Sequence, residues 1–194
     1  MNEHRNHDNH YEQEQPPQPQ PRIWVGSLAD YNAGRLHGDW FDAAVDDEQL
    51  LAEVQAMLDS STEPLAEEYG IFDYDEFGAF KPGEYDDLHT VAAVARGIKE
   101  HGPAFAAWAE LHDADPDMLG AFEDAYIGHF DDPTDWAHDV LADLDHQLDN
   151  TIPDSLRGYV TIDYAAWLRD CELGGDIHIE LESNGRSAHL FRIE

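Results

Sequence analysis

Hydrophobic spacing divides the chain after residue 21 into segments of different habit. RIWVGSL (22–28) reads as a short apolar strand, and YNAGRLHGDWFDA (31–43) carries two glycines ahead of an aromatic pair. In DDEQLLAEVQAML (46–58), Leu50, Leu51, Val54, Met57 and Leu58 recur on one face at the helical period. Asp46 and Asp47 open that segment, where carboxylates suit the positive end of a helix dipole. EEYGIFDYDEF (67–77) reads as an aromatic strand. Three strands and one helix thus predict a small α+β unit over 22–86.

The next stretch is helical. LHTVAAVARGIKEHG (88–102) carries an apolar stripe and stops at Gly102, and PAFAAWAELH (103–112) opens with proline, which suits a first helical turn. Residues 113–120 hold three aspartates, a proline and a glycine, a connection into a further short helix. A helical unit over 87–121 follows. In the third unit, 122–194, AYIGHF (125–130) predicts a strand. DDPTDWAHDVLADLDHQL (131–148) predicts an amphipathic helix with Trp136, Val140, Leu141, Leu144 and Leu148 inward. IPDSLRGYVTIDYAAWLRDCEL (152–173) predicts one or two more helices. In DIHIELESNGRSAHLFRI (176–193), Ile177, Ile179 and Leu181 alternate with polar residues, and Asn184-Gly185 suits a type I′ hairpin turn. The expected class is α+β: three small domains (α+β, helical, α+β) after a disordered N-terminal tail.

That tail is residues 1–21, MNEHRNHDNHYEQEQPPQPQP, too poor in apolar side chains to offset the entropy of ordering. His4, His7 and His10 read there as solvated side chains rather than as metal ligands.

Charge changes the picture more than any motif. The 194 residues hold 10 Lys and Arg against 43 Asp and Glu, a formal charge of -33. Hydrophobic residues at 42% and aromatics at 11% are nonetheless too many for an acidic disordered chain. Direct nucleic-acid binding is disfavoured because phosphates need a basic footprint, and so is adhesion to an anionic membrane. No apolar run long enough for a span and no leader peptide is read, so the expected location is the cytoplasm. A single cysteine, Cys171, leaves no intrachain disulfide, cysteine zinc site or dithiol centre.

Enzyme chemistry finds little support. Asp73, Asp75, Gly78 and Glu84 match positions of a calcium loop, but Phe77 and Lys81 stand where oxygen ligands belong, and Pro82 follows. Asp113, Asp115 and Asp117 lack the central glycine. There is no zinc-binding histidine motif, phosphate-binding glycine loop or nucleophile elbow, and Cys171 reads as core filler. Neither catalysis nor a cofactor is expected.

The placement of acids does stand out. Asp135, Asp139 and Asp143 lie at i, i+4 and i+8 of one predicted helix face, flanked by Asp131, Asp132, Asp145 and Asp149. Like charges so spaced each cost roughly 0.2–0.5 kcal/mol. No lysine follows Lys99 to relieve them, whereas a solvated face ordinarily mixes both signs. The tail holds four acids and Arg5, so the rest keeps 39 acids and 9 bases, a net of -30. At DNA's charge density that equals roughly 50 Å of duplex, or about 15 base pairs. The charge therefore suits an imitation of DNA directed at a basic, phosphate-binding groove. The candidate contact set is Asp131, Asp132, Asp135, Asp139, Asp143 and Asp145, together with Asp73, Asp75, Glu76, Asp86, Asp87, Glu123 and Asp124. The competing reading is an acid-biased, halophilic adaptor or enzyme.

RIWVGSLADYNAGRLHGDWFDA (22–43), EEYGIFDYDEFG (67–78), HGPAFAAWAE (101–110), FEDAYIGHFDDPTDWAHDVL (122–141) and IPDSLRGYVTIDYAAWLRD (152–170) resemble, in order, the ArdA family of antirestriction proteins. Ser27–Leu28, Tyr31–Asn32, Gly34 and Trp40 form the most specific part of the match. The resemblance implies an elongated, three-domain, dimeric DNA mimic from a mobile element. Such a protein occupies the DNA-binding groove of type I restriction–modification enzymes without catalysis. The Gln/Pro/His extension and the heavy acidic load depart from the family pattern.

Overall fold

The structure, a computed structural model, describes residues 18–193. His4, His7, His10 and most of the expected tail lie outside the described residues. Within the expected tail, Pro21 is buried and its carbonyl accepts from the Ala43 amide at 2.9 Å.

β1 (Arg22–Ser27) is the centre of an antiparallel sheet, between β2 (Gly38–Asp42) and β3 (Tyr69–Asp75). Ile23 registers with Phe41 and Val25 with Ile71, and all four are buried. Trp24 registers with Trp40 on the opposite side, as the two-residue period of a strand requires. The strand stops at Ser27, one residue earlier than predicted, because its hydroxyl accepts from the Asp30 amide and starts the short α1 (Leu28–Asn32). α2 (Asp47–Asp59) is capped by Asp46 and buries Leu50, Val54 and Leu58, the face its periodicity predicts.

α3 (Leu88–His101) and α4 (Pro103–Leu111) are separated at Gly102, whose φ of 70° suits glycine. Two short helices follow, α5 (Pro116–Gly120) and α6 (Phe122–Ala125). The second sheet has the order β4-β6-β5, all antiparallel: β4 (Tyr126–Phe130), β5 (Ile177–Leu181) and β6 (Ala188–Arg192). Between β4 and β5 run α7 (Pro133–Thr151) and α8 (Tyr164–Gly174). Mixed helices and antiparallel sheets give the α+β class that the sequence implies.

One buried cluster runs from Ile23 and Val25 through α2, α3 and α4 to Phe122 and Phe191. Trp108 links the helices to the second sheet. Its ring lies 5.3 Å from that of Phe191, and its Nε1 donates to the Met118 carbonyl at 2.6 Å. A second, smaller cluster holds Ala137, Leu168 and Ile177, with Trp136 and Trp167 half-buried beside it.

Two local expectations change. Leu141 and Leu148 are half-buried on α7, but Val140 and Leu144 are 50% and 47% exposed instead of inward. Of α7, the small cluster takes in only Trp136 and Ala137, so apolar residues of the later turns are left in solvent. Of the one or two helices expected over 152–173 one forms, because Pro153, Gly158 and the β-branched run Val160-Thr161-Ile162 disfavour a second. The hairpin turn is not type I′. Gly185 has a φ of 66° while Asn184 does not enter the positive region, and the Asn184 side chain accepts from the Arg186 and Ser187 amides.

Candidate acidic partner-binding surface

α7 supplies the longest run of carboxylates on one element. Asp132 caps it, with Oδ1 accepting from the Thr134 amide and hydroxyl, and Pro133 occupies the first turn. Its 19 residues extend about 29 Å at 1.5 Å per residue. Asp135, Asp139 and Asp143 are exposed, with backbone positions about 6 Å apart along the axis. Asp131 is exposed just ahead of the cap, and Asp145 is half-buried on the last part of the helix. Asp135, Asp139 and Asp143 have no hydrogen bond or ion pair with any described side chain. Asp132 differs: the Thr134 hydroxyl and amide hold its carboxyl below the usual range, so it is already committed to the fold.

The other predicted acids lie on separate elements. Asp73 and Asp75 are exposed on β3; Asp73 accepts from the Tyr74 amide, and Asp75 pairs with Arg22 at 3.0 Å. Glu76 sits at a φ of 61° and accepts from the Gln20 amide. Asp86 accepts from the Gly83 amide at 2.7 Å, and Asp87 caps α3. Glu123 and Asp124 are exposed on α6. Asp124 shares with Arg192 and Trp108 the lining of a cleft of about 480 Å³. The fold thus places Asp135, Asp139, Asp143 and Asp145 on one helix, with Asp131 and Asp132 at its start, and leaves the others as local structural carboxylates or single surface charges.

The motif that carries the family resemblance is architectural. Ser27 caps α1, Gly34 turns the chain at a φ of 77°, and Asp30 is buried. The Asp30 carboxylate accepts from Ser61 Oγ at 2.5 Å, is paired with Arg35 at 3.1 Å, and is held low first by that Ser61 bond. Arg35 also pairs with Glu63.

Two features escape the sequence reading. One is the aromatic outer face of the first sheet, visible beforehand only as alternation in RIWVG and GDWFD. The other joins β4, β6 and the hairpin turn. His129 Nε2 lies 3.2 Å and His189 Nε2 3.7 Å from Glu182 Oε1, and Tyr126 Oη is 3.0 Å from His189 Nδ1. Burial, then the neighbouring His129, pushes the His189 imidazole down. Nothing in the one-dimensional pattern brings positions 126, 129, 182 and 189 together.

Among the described residues, no group of three or more His, Cys, Asp or Glu side chains is arranged to hold a metal ion. Cys171 is half-buried, and burial followed by Asp176 and Asp170 raises its thiol, the reverse of nucleophile activation. No helix among the described residues is long and apolar enough to cross a membrane. The surface is suited to attracting cationic groups through exposed carboxylates.

No curated protein matches the chain. The family model described as antirestriction protein (ArdA) matches residues 23–182, from β1 to just beyond β5. With that match extending over most of its length, the chain belongs to the ArdA family of antirestriction proteins.

Proposed function

We propose that this protein is a DNA mimic that occupies the DNA-binding groove of type I restriction–modification enzymes and so protects incoming DNA. The observation that carries the reading is the unpaired, exposed row Asp135, Asp139 and Asp143 on α7, in a chain of the antirestriction family. Carboxylates held on a rigid helix present charge to a cleft built for phosphates and release the groove's counterions on binding, as DNA does. Inhibition is by occupancy, without catalysis or cofactor.

The three units 22–86, 87–121 and 122–194 are the proposed building blocks of an elongated scaffold that works in the cytoplasm of a cell receiving a mobile element. A homodimer doubles the charge presented. Val140 and Leu144, with exposed Leu156 and Val160 downstream, offer apolar surface for such pairing.

Competition between the purified protein and labelled target DNA for a type I enzyme tests the proposal. Displacement of DNA that weakens steeply from low to moderate salt is expected. Non-competitive inhibition, or binding indifferent to salt, overturns it.

A further inference from the structure

The first sheet has two unlike faces. Ile23, Val25, Phe41 and Ile71 belong to the buried core on one. The other carries Arg22, Trp24 and Gly26 from β1, Gly38, Trp40 and Asp42 from β2, and Gly70, Asp73 and Asp75 from β3 in register with them. Phe72 joins this face at the irregularity in the β1–β3 ladder and meets Trp24 edge-on, with ring centroids 5.7 Å apart. Tyr31 from α1 lies 5.1 Å from Phe72.

The glycines on this face are spaces filled by the rings. A Cβ at Gly38 would come within 2.8 Å of the Trp24 ring, and one at Gly26 within 2.7 Å. The indole therefore lies down on the backbone. Above this floor Trp40 is 40% and Tyr31 56% exposed, and Asp42, Asp73 and Asp75 are exposed beside them.

One cation already shows what such a surface accepts. The Arg22 guanidinium sits 5.3 Å from the centroid of the Trp40 ring while Nη2 donates to Asp75 at 3.0 Å. A ring face beside a carboxylate suits a guanidinium better than an ammonium, because the guanidinium is planar, weakly hydrated and forked. Asp42 and Asp73 on the same face have no salt-bridge partner among the described residues. In a chain of charge -33 the complementary occupant is cationic.

We propose that the open face of the first sheet, built on Trp40, Tyr31, Asp42 and Asp73, is a docking surface for arginine side chains of the basic partner protein. The proposal rests on the reading that the partner is a basic groove, and it divides the interface in two. The α7 carboxylates supply sequence-tolerant charge, whereas the sheet face selects arginine over lysine.

The test titrates the full-length protein, by tryptophan fluorescence and calorimetry, with hexa-arginine and hexa-lysine peptides of equal charge. Tighter binding of hexa-arginine is expected, by roughly three- to thirtyfold from the strength of a cation–aromatic contact. The preference should disappear in Trp40→Leu and persist in Trp40→Phe. Tyr31→Leu, at a second exposed ring, reduces it and keeps the test open if Trp40→Leu does not fold. Equal binding of the two peptides by the wild type overturns the proposal, as does a preference that survives in folded Trp40→Leu. Competition against DNA on the type I enzyme is measured separately. Loss of the arginine preference with intact competition removes only the sheet-face proposal, while failed competition removes the mimicry reading and leaves the peptide result to stand by itself.

Discussion

Changing Asp139 and Asp143 to Asn together sets folding against binding in one variant. Asp135, Asp139 and Asp143 form two like-charge pairs at i, i+4, each unfavourable by roughly 0.2–0.5 kcal/mol. The double change abolishes both pairs, and Asn and Asp have similar helix propensities, so a gain of about 0.4–1 kcal/mol is expected. For a chain of this size that is about 1–4 °C in Tm. Asp135 is left in place because it lies in the first turn, where its charge favours the helix dipole by about 0.3–1 kcal/mol. The triple variant should therefore be less stable than the double. Spacings of about 6 Å lie inside the Debye length of about 10 Å at 0.1 M salt, so the gain should shrink as salt rises. Inhibition should move the other way: the double variant protects DNA less well, and the slope of log affinity against log salt becomes shallower by at most about 2. Urea denaturation beside a restriction-protection titration at matched salt measures both. Unchanged inhibition, or a loss of stability in the double variant, refutes the assignment of this helix face to the partner.

Gly97→Ala places a Cβ 2.2–2.5 Å from Phe105 ring atoms, and overpacking should outweigh the helix-propensity gain of about 1 kcal/mol. A net loss of about 1–2 kcal/mol in urea denaturation is expected, partly recovered by adding Phe105→Leu. Deleting residues 2–17 removes a net charge of -3 and should leave melting and inhibition nearly unchanged, whereas extending the deletion through Pro21 should cost about 1 kcal/mol by removing the acceptor for the Ala43 amide. His89 is raised first by the hydrogen bond its Nδ1 donates to Asp47, at 2.7 Å, so its contribution is present below about pH 6.5 and fades as pH rises through the raised value. Melting curves at pH 6 and 8.5 should differ less for His89→Gln than for the wild type; an equal difference would remove this pair from the pH dependence.

How far the sequence could be read depended on range. The α2 core face and the α3–α4 break at Gly102-Pro103 were legible because both are local: a 3.6-residue period in one case, a glycine–proline boundary in the other. The central place of β1 was not, since it depends on pairing with residues up to 53 positions away. α7 shows the limit within one helix. Periodicity identifies an apolar stripe, but not that Val140 and Leu144 stay exposed. The acids behave likewise. Asp132 and Asp139 look alike in the sequence, yet one caps a helix and the other has no bonding partner among the described residues.

Where the charge sits bears on why the chain keeps it. Among the described residues Asp30 alone of the acids is buried, and Ser61 and Arg35 meet its carboxylate directly. The other acids lie at or near the surface, where water reduces the repulsion between neighbours and the continuous apolar core remains dry. The fold therefore does not need most of the acidic load, and neutralising exposed acids that make no helix cap, first-turn or ion-pair contact should stabilise it or leave it unchanged. A load that the core does not need, carried on α7 with no lysine or arginine on the helix, is explained by something outside the molecule. A salt-adapted surface would keep its stability advantage only at high salt. A phosphate-like surface would keep its binding advantage only at low salt. The opposite salt dependences follow from the same carboxylates, since binding gains from released counterions while folding gains from added screening.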